Sequence, residues 1–324
     1  ISPENIIKKV HEAGIVGMGG AMFPSHVKLS IPKGEKCDVL IINGAECEPY
    51  LTCDHRLMLE RSEELLAGIR ILMQALQVDK ALIGIEDNKP KVLKKLKSLT
   101  DKDERIDVYG LKVKYPQGGE KQLIKALIKR EVPPGGLPVH VGTVVHNVGT
   151  VVAVYEAVQK NKPLIQRNVT VTGPSLKNPS NFLVRIGTPL KFLIEAAGGL
   201  PEDTGKIICG GPMMGKAVNS INIPVTKGTS GVLVLPEKKA KRKPLNNCIR
   251  CAKCVTLCPM GLEPYLLMNL AELERWDEME KNNTADCMEC GTCTYVCPAN
   301  RPLLDYIRLG KTTVIKRMKQ RQKK

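Results

Sequence analysis

The sequence is poor in aromatic residues and contains no long apolar run. Only 3% of its 324 residues are Phe, Trp or Tyr, so it offers few rings on which the bases of a single-stranded nucleic acid could stack. It also lacks a motif that reads a DNA groove. We therefore expect no nucleic acid partner. No apolar stretch approaches the ~20 residues that a membrane-spanning helix needs, so we expect a soluble or peripheral protein.

A secretory signal peptide is also missing, and the chain has twelve cysteines. Together these features indicate a reducing compartment, where thiolates persist. The first residue is Ile1 rather than methionine, and it directly precedes a helix start with Ser2 as the N-cap and Pro3 at the first helical position. We expect the sequence to be part of a longer protein.

Two cysteine runs of one pattern dominate the last third of the chain. Each has the spacing Cys-x-x-Cys-x-x-Cys-x-x-x-Cys-Pro, which is typical of bacterial ferredoxins with two [4Fe–4S] clusters. In those proteins the fourth cysteine of each run ligates the cluster of the other run. This pattern predicts one cluster held by Cys248, Cys251, Cys254 and Cys297 and a second held by Cys287, Cys290, Cys293 and Cys258. Zinc ribbons or disulfides are the alternatives, but neither explains four cysteines in each run.

The segment between the runs, residues 263–281, carries Leu and Trp at helical spacing. It is longer than a minimal ferredoxin needs, so a helical ferredoxin domain is predicted. The net charge of +16 comes from 49 basic and 33 acidic residues, and much of it lies in a linker before the clusters and in the tail after Tyr306. Such segments are usually solvated or flexible. They would attract an acidic partner or the anionic cytoplasmic leaflet of a membrane.

The front half alternates strands and helices, which predicts an α/β domain. A glycine-rich loop with Gly17, Gly19 and Gly20 ends in Lys28 and would suit a phosphate, because glycines let backbone N–H groups approach an anion and a lysine adds positive charge. A flexible loop without a ligand is the alternative. A buried strand over 38–42 is followed by polar residues at 43–49, a position that suits a ligand site.

Further elements are predicted along the chain. A second loop at 115–120 opens a helix at 121–130, and a strand ending in His146 and Asn147 begins another helix. The other helices are predicted at 54–76, 90–99 and 190–197, and the other strands at 80–86, 106–113 and 227–235. The cysteines outside the runs, Cys37, Cys47, Cys53 and Cys209, are predicted to be small buried side chains or free thiols.

Taken together, these residues resemble the C subunit of the bacterial Rnf electron-transport complex, a relative of the flavin subunit of respiratory complex I. The resemblance covers nearly the whole chain. It lies in the loop from Gly17 to Lys28, in the segment Asn43 to Pro49, in Tyr115 to Glu120 and in His146-Asn147. Ala45 and His146 stand where complex I has an aspartate and an asparagine, and Met22 replaces a glycine.

The resemblance implies the ligands of each site. FMN would be held by Gly17, Gly19, Gly20, Lys28, Asn43, Glu46, Tyr115, Gly118 and Asn147, and NAD(H) would lie toward Phe23, Glu48 and Glu120. No residue is assigned a catalytic role. It also implies three domains: an α/β FMN/NADH domain (1–165), a β-grasp domain of the SLBB type (166–236) and, after a basic linker (237–246), a helical ferredoxin domain with two clusters (247–310). A basic tail (311–324) follows, and family members carry an additional N-terminal domain.

The function implied by the resemblance is a peripheral NADH/FMN/iron–sulfur subunit of an ion-translocating ferredoxin:NAD+ oxidoreductase. Its partners would be the ferredoxin-like B subunit and the membrane subunits, and it would lie at the cytoplasmic face of the bacterial cell membrane. A related flavin and iron–sulfur cobalamin reductase is one alternative. A non-enzymatic electron relay or scaffold is another.

Overall fold

The structure, a computed structural model, describes residues 1–322. The chain divides into two compact units. The first comprises residues 1–132 and 137–240, and the second comprises residues 133–136 together with the chain from residue 241 onward.

The first unit contains two sheets and the helices that cover them. Its helices are α1 (Pro3–Glu12), α2 (Ser25–Leu29), α3 (Cys53–Glu60), α4 (Ser62–Leu76), α5 (Pro90–Thr100), α6 (Glu120–Ile128), α7 (Val148–Lys160), α8 (Leu190–Ala196) and α9 (Glu237–Ala240), with a 3-10 turn at Pro138–Val141. Its strands are β1 (Val39–Gly44), β2 (Ala81–Glu86), β3 (Ile106–Leu111), β4 (Thr143–Asn147), β5 (Gln166–Thr172), β6 (Ser180–Arg185), β7 (Thr204–Cys209), β8 (Lys216–Val218) and β9 (Gly231–Pro236).

The first sheet has the order β3-β2-β1-β4, and all of its strand pairs are parallel. Side chains alternate between its faces. Leu40 and Ile42 of β1 therefore join the large core formed with α1, α4 and α7, whereas Ile41 packs with Leu123 and Ile124 of α6. With both faces covered, the strands are continuously apolar, as expected for a parallel sheet.

The helix predicted at 54–76 is wrong in one respect, because the structure divides it into α3 and α4 at Arg61. The Arg61 guanidinium donates hydrogen bonds to Glu64 and, at 2.7 Å, to Glu156. These ion pairs hold the break in a non-helical conformation that leaves the apolar face of α4 on α7. Periodicity alone does not reveal such a break, since both helices follow the same apolar pattern.

The second sheet has the order β6-β5-β9-β7-β8 and is mixed, with β5 and β9 parallel and its other pairs antiparallel. Helix α8 packs on it through Leu190, Leu193 and Ile194. This arrangement of short strands around one helix is the β-grasp fold that the sequence predicted.

The second unit is helical. It contains α10 (Lys253–Thr256), α11 (Pro264–Glu272), α12 (Trp276–Lys281), α13 (Thr292–Tyr295) and α14 (Leu303–Gln322), with a 3-10 turn at Thr284–Asp286. The helix predicted between the cysteine runs is interrupted, because Glu274 adopts a φ of 54° between α11 and α12. The segment from 311 is not separate either, since α14 continues through it to Gln322. The last two residues of the predicted tail lie outside the described residues.

Among residues 1–322 no helix combines the length and the apolar character that crossing a membrane requires.

We predict that Gly68→Ala destabilises the first unit. A methyl group there would clash with the Val151 carbonyl oxygen, which belongs to the backbone of α7 and cannot move aside. Overpacking of this kind costs about 1–3 kcal/mol, against a gain of up to about 1 kcal/mol in helix propensity. Urea unfolding followed by circular dichroism measures the effect. The exposed replacement Glu63→Ala on the same helix is the control, and equal stability of the two variants would contradict the packing argument.

Candidate functional site

The carboxyl edge of the parallel sheet collects the polar residues of the candidate flavin site. Asn43 and Asn147 end the adjacent strands β1 and β4 and are register partners. The glycine-rich loop precedes α2, and the second loop precedes α6. A hypothetical methyl group on Gly19 would lie 3.7 Å from the Asn147 Cβ atom, so the first loop reaches this edge.

Lys28 places a positive charge beside the second loop. Its Nζ atom donates hydrogen bonds to Glu120 Oε1 at 2.5 Å and to the Val145 carbonyl oxygen at 3.1 Å. The ammonium group is thus held next to the end of β4. Two residues that the sequence assigned to different ligands, Lys28 and Glu120, therefore form one ion pair.

Asn43 joins the strand end to the second loop. Its Nδ2 atom donates to the Gly118 carbonyl oxygen at 2.8 Å, and its Oδ1 atom accepts from Ala45 N at 3.1 Å. A Cβ atom on Gly118 would clash with the Ala45 carbonyl oxygen. Only glycine permits this approach of the two loops.

Glu46 caps helix α3. Its carboxylate accepts hydrogen bonds from Asp54 N at 2.9 Å and His55 N at 3.2 Å, which are backbone donors left unpaired at a helix start. Burial raises the pKa of Glu46 to about 7, and the neighbouring Asp54 contributes to that rise. Asp54 in turn accepts a hydrogen bond from Asn147 Nδ2 at 2.6 Å, so Glu46 and Asn147 belong to one network.

Glu48 is bound differently. Its carboxylate accepts hydrogen bonds from Met213 N at 3.0 Å and Met214 N at 2.6 Å. Both donors lie in the glycine-rich turn between β7 and β8 of the second sheet. Burial raises the pKa of Glu48. The residue that the resemblance placed toward the dinucleotide therefore also ties the two sheets of the first unit together.

The remaining predicted residues lie in the two loops. The carbonyl of Phe23 accepts a hydrogen bond from Gly17 N at 2.8 Å, which closes the first loop, and the Phe23 side chain is exposed. Gly20 has a φ of 109° and would meet no atom within 4 Å of a Cβ, so it faces open space. Tyr115 begins the second loop and is joined to Pro116 by a cis peptide bond.

The sequence did not reveal two charged residues of this network, the half-buried Asp54 and the buried Arg167. Arg167 begins the second sheet, is 3% exposed and donates hydrogen bonds to the Lys227 carbonyl and, at 3.5 Å, to the Met18 carbonyl of the glycine-rich loop. Burial lowers its pKa, and Cys53 and Asp54 partly offset that effect. Asp54 lies at the start of a helix close to the polar segment 43–49, which was a signal for a role in this site, whereas no local pattern marked Arg167.

Three ligating side chains in this network lie within 4.8 Å of one another, namely Glu46, Cys53 and Asp54. This group has the donor types of a metal site. The nearby Arg167 already supplies a positive charge, however, and interacts with both Cys53 and Asp54. The group is better described as a partly buried ion network than as a cation site.

The edge of the sheet fits a polar ligand such as FMN. Within residues 1–322, buried side-chain atoms that lack a hydrogen-bond partner include Ser25 Oγ, Gln117 Oε1 and His146 Nε2. Each stands within two residues of a predicted flavin or dinucleotide residue. Burial and the charge of Lys28 lower the pKa of His146 to about 3, so its imidazole is neutral. Buried polar atoms without partners are uncommon in proteins, and a ligand rich in hydrogen-bonding groups would satisfy them.

Cysteines from both runs lie near one another in the second unit. The Cys254 thiol interacts electrostatically with Cys297 and Cys248, and the Cys287 thiol interacts with Cys258 and Cys290. One cavity is lined by the second predicted set, Cys258, Cys287, Cys290 and Cys293, with apolar neighbours that include Leu267 and Ile307. Four soft thiol donors in an apolar surrounding fit a [4Fe–4S] cluster.

The two groups differ in burial. Cys248 and Cys251 are exposed, whereas Cys290 and Cys293 are 7% and 8% exposed. Burial raises the pKa of the Cys287 thiol to about 11 and that of Cys293 to about 12. Helix α14 covers the second group, and Lys311 donates a hydrogen bond to the Cys287 carbonyl at 2.6 Å. Cys37, Cys47, Cys53 and Cys209 are free cysteines, as predicted.

Comparison with family models identifies all three parts of the chain. Residues 10–156 match the Nuo51 FMN-binding domain, residues 168–217 match the SLBB domain, and residues 240–298 match the 4Fe-4S dicluster domain. The fold and these matches define a flavin and iron–sulfur electron-transfer protein, and they confirm the predicted fold class and the predicted FMN and [4Fe–4S] cofactors.

Characterised relatives give the family. The chain is 48% identical to the C subunit of the proton-translocating ferredoxin:NAD(+) oxidoreductase complex of Clostridium ljungdahlii, over 96% of this chain and 68% of the relative. It is 47% identical to the C subunit of the Na(+)-translocating complex of Acetobacterium woodii, over 96% of this chain and 70% of the relative. The chain belongs to the family of Rnf complex C subunits, which confirms the resemblance seen in the sequence.

Other relatives are longer. The chain covers 44% of the C subunit of the ion-translocating oxidoreductase complex of Yersinia enterocolitica, to which it is 43% identical. Among solved structures it is similar to a chain of the NAD+-reducing [NiFe]-hydrogenase in the H2-reduced state, with a TM-score of 0.67 and 20% identity over 97% of this chain and 63% of that chain. This likeness supports the shared fold.

We predict that paired cysteine variants reveal the crossed ligand sets. If Cys248 and Cys297 hold the same cluster, the double variant Cys248→Ala/Cys297→Ala loses about four of the eight irons of a two-cluster protein. The variant Cys248→Ala/Cys258→Ala then loses all of them, because it damages both clusters. Iron analysis and electron paramagnetic resonance of the reconstituted proteins measure this. Uncrossed runs give the opposite result for the two pairs.

We predict that the stability of the first unit falls between about pH 4.5 and pH 7. The folded unit retains the Glu46 proton up to a pKa of about 7, whereas the unfolded chain releases it near 4.5. The folded state binds more protons in this window, so the free energy of unfolding decreases as the pH rises, by on the order of 1 kcal/mol per pH unit. Urea unfolding at several pH values tests this. Glu46→Gln should flatten the slope, while the exposed control Glu63→Gln should keep it.

Proposed function

We propose that this chain is the NADH/FMN/iron–sulfur subunit of an Rnf-type ion-translocating ferredoxin:NAD+ oxidoreductase. It would exchange electrons between NAD(H), FMN and two [4Fe–4S] clusters. The observation that carries the proposal is the convergence of the predicted flavin residues at the carboxyl edge of β1 and β4, in a chain that also carries two complete sets of cluster cysteines. Family membership supports the same function.

The flavin ligands would be drawn from four segments. The glycine-rich loop contributes Gly17, Gly19 and Gly20 and the adjacent helix contributes Lys28. The strand ends contribute Asn43 and Asn147, the segment after β1 contributes Glu46, and the second loop contributes Tyr115 and Gly118. Backbone N–H groups and one lysine suit the phosphate, while the amide side chains suit the ring or ribose edges. The ion pair of Lys28 with Glu120 holds the lysine beside the site until a phosphate competes for it.

NAD(H) would bind near Phe23, Glu48 and Glu120. The exposed Phe23 ring offers a stacking surface. The Glu48 carboxylate already accepts hydrogen bonds from two backbone donors. Each carboxylate accepts up to about four hydrogen bonds, which leaves capacity for a ribose hydroxyl.

Bound FMN supplies the exchange between the two-electron chemistry of a hydride and the single electrons of the clusters. The chain itself binds and orients. Backbone donors of the loops and the amides of Asn43 and Asn147 would fix the ring, and the neutral His146 avoids placing a second cation beside Lys28. Alignment of the reacting groups and exclusion of water are what such a site contributes, and no proton-transferring side chain is required.

The partners follow from the family. Electrons would pass to or from the other subunits of the complex, including the ferredoxin-like B subunit and the membrane subunits, at the cytoplasmic face of the cell membrane. The proposed domain limits are 1–165, 166–236 and 247–310, with a basic linker at 237–246. The basic segments would favour an anionic surface, because each Lys or Arg near an anionic membrane adds about 1 kcal/mol.

We predict that Lys28→Ala weakens FMN retention by at least tenfold, because it removes the charge proposed to bind the phosphate. One charge-assisted hydrogen bond of this kind is worth about 1.5–3 kcal/mol. Fluorescence titration of the flavin-free protein with FMN measures the affinity. Glu120→Gln is the matched control, since it removes the ion-pair partner but keeps the ammonium group.

The control should bind FMN at least as tightly as the wild type. Unchanged affinity in Lys28→Ala would contradict the phosphate assignment, and equal losses in both variants would show that only the ion pair matters. Reduction of the bound flavin by NADH, followed at 450 nm, tests the wider function.

A further inference from the structure

The two cysteine runs are related by duplication, and their equivalent positions differ in charge and environment. Aligned on their cysteines, Arg250 of the first run corresponds to Glu289 of the second, and Lys253 corresponds to Thr292. Because the cysteine spacing is the same in both runs, the two cluster sites differ in the residues that lie between their ligands.

The second site is closed by its own unit. The Glu289 carboxylate pairs with Arg308 and with Lys311 of α14, each at 3.1 Å. Its cysteines Cys290 and Cys293 are buried. The charge of Glu289 is therefore neutralised within the unit, and these two cysteines are covered by it.

The first site is open. All residues from Lys241 to Lys253 are exposed, and these include the ligands Cys248 and Cys251. Two large apolar side chains are exposed near these ligands. Ile249, next to Cys248, is 69% exposed, and Tyr295, which lies between Cys293 and Cys297 on α13, is 78% exposed. Helix α13 packs against α10 of the first run. Large apolar side chains that are this exposed beside a redox centre indicate a surface to which a partner binds.

The segment that carries these ligands is strongly basic, although Arg242 pairs with Asp305 of α14 at 2.6 Å. Seven lysine and arginine residues and no acidic residue fall between Lys238 and Leu262. The linker that carries part of this charge is fixed beside the site, because Asn246 N donates to the Ala299 carbonyl at 3.0 Å and Asn300 Nδ2 donates to the Pro244 carbonyl at 2.9 Å. Ala299 and Asn300 follow Cys297 in the chain, so the basic residues are held near the first cluster set.

We propose that the cluster of Cys248, Cys251, Cys254 and Cys297 is the one that faces the external redox partner, and that the partner is a one-electron carrier protein with an acidic surface. Ile249 and Tyr295 form the apolar centre of the docking surface, and Arg250 and Lys253 form its basic rim. One electron leaves the reduced centre of the carrier and enters this cluster, or the reverse; no bond forms or breaks and no proton moves. The inference rests on the proposed function, since it names the partner-facing end of that electron path.

A protein partner fits this surface better than a membrane does. An anionic membrane requires only positive charge, whereas this surface combines basic residues with exposed cluster ligands and large exposed apolar side chains. Transient redox complexes combine a small apolar contact with complementary charges that steer the encounter.

The test is the binding of the reconstituted holoprotein to an acidic plant-type [2Fe–2S] ferredoxin, measured by biolayer interferometry at several salt concentrations. We expect Arg250→Glu/Lys253→Glu to weaken binding at least tenfold at low salt, and the wild-type affinity to fall as salt screens the charges. The control Lys91→Glu/Lys94→Glu changes the net charge equally on α5 and should alter the affinity less than twofold. Iron content is measured first for each protein.

If the charge-reversed variant does not assemble its clusters, Arg250→Gln/Lys253→Gln and Tyr295→Ser replace it, each with an expected loss of at least threefold. Equal affinities for the wild type and the rim variants overturn the proposal. So does loss of binding to phosphatidylserine vesicles without loss of ferredoxin binding, which would assign the surface to a membrane. The measurement uses neither NADH nor FMN, so a failure of the flavin to accept electrons from NADH would refute the proposed function without affecting this result.

Discussion

The parallel pairing of β1 with β4 sets the geometry on which the flavin half depends. It places Asn43 and Asn147 opposite one another at the carboxyl ends of adjacent strands, and both loops that carry glycines meet at that edge. A shift of one residue in this register would turn the apolar side chains of β1 to the wrong faces of the sheet. The core residues that surround the strands therefore also fix the site, because the positions of the two asparagines follow from the burial of Leu40, Ile41 and Ile42.

A partly buried network of charged residues supports this edge. Asp54 accepts a hydrogen bond from Asn147, Glu46 caps the helix at whose start Asp54 lies, and Arg167 of the second sheet interacts electrostatically with Asp54. Buried charges are costly unless they are paired and hydrogen-bonded, so the members of the network constrain one another. Arg167 also holds the Met18 carbonyl of the glycine-rich loop. The β-grasp module thus helps to position the flavin loops, which gives it a structural role that needs no ligand of its own.

The sequence was most informative where spacing and chemistry coincide. The cysteine runs revealed the cluster module, and strand and helix alternation with the polar strand ends revealed the parallel sheet and its ligand edge. The sequence was less informative where contacts between residues distant in the chain determine the local structure. The break at Arg61 depends on Glu156, which is distant in the chain, and Glu48 binds a turn of the second sheet. Arg167 lies in an ordinary strand pattern, so only the folded structure shows that its charge is buried.

Duplication explains both the likeness and the asymmetry of the cluster sites. Two equal runs give two equal sets of ligands, but the helix that follows the second run covers one set and leaves the other open. Glu289 suits the covered position because α14 supplies Arg308 and Lys311 to neutralise it. Arg250 has no acidic residue near it in the chain and is exposed, so its charge acts on whatever approaches from outside. Burial also disfavours the more highly charged state of a centre. The covered and the open cysteine sets therefore have different electrostatic surroundings although each consists of four cysteines, so the two halves of the duplicated module are not equivalent.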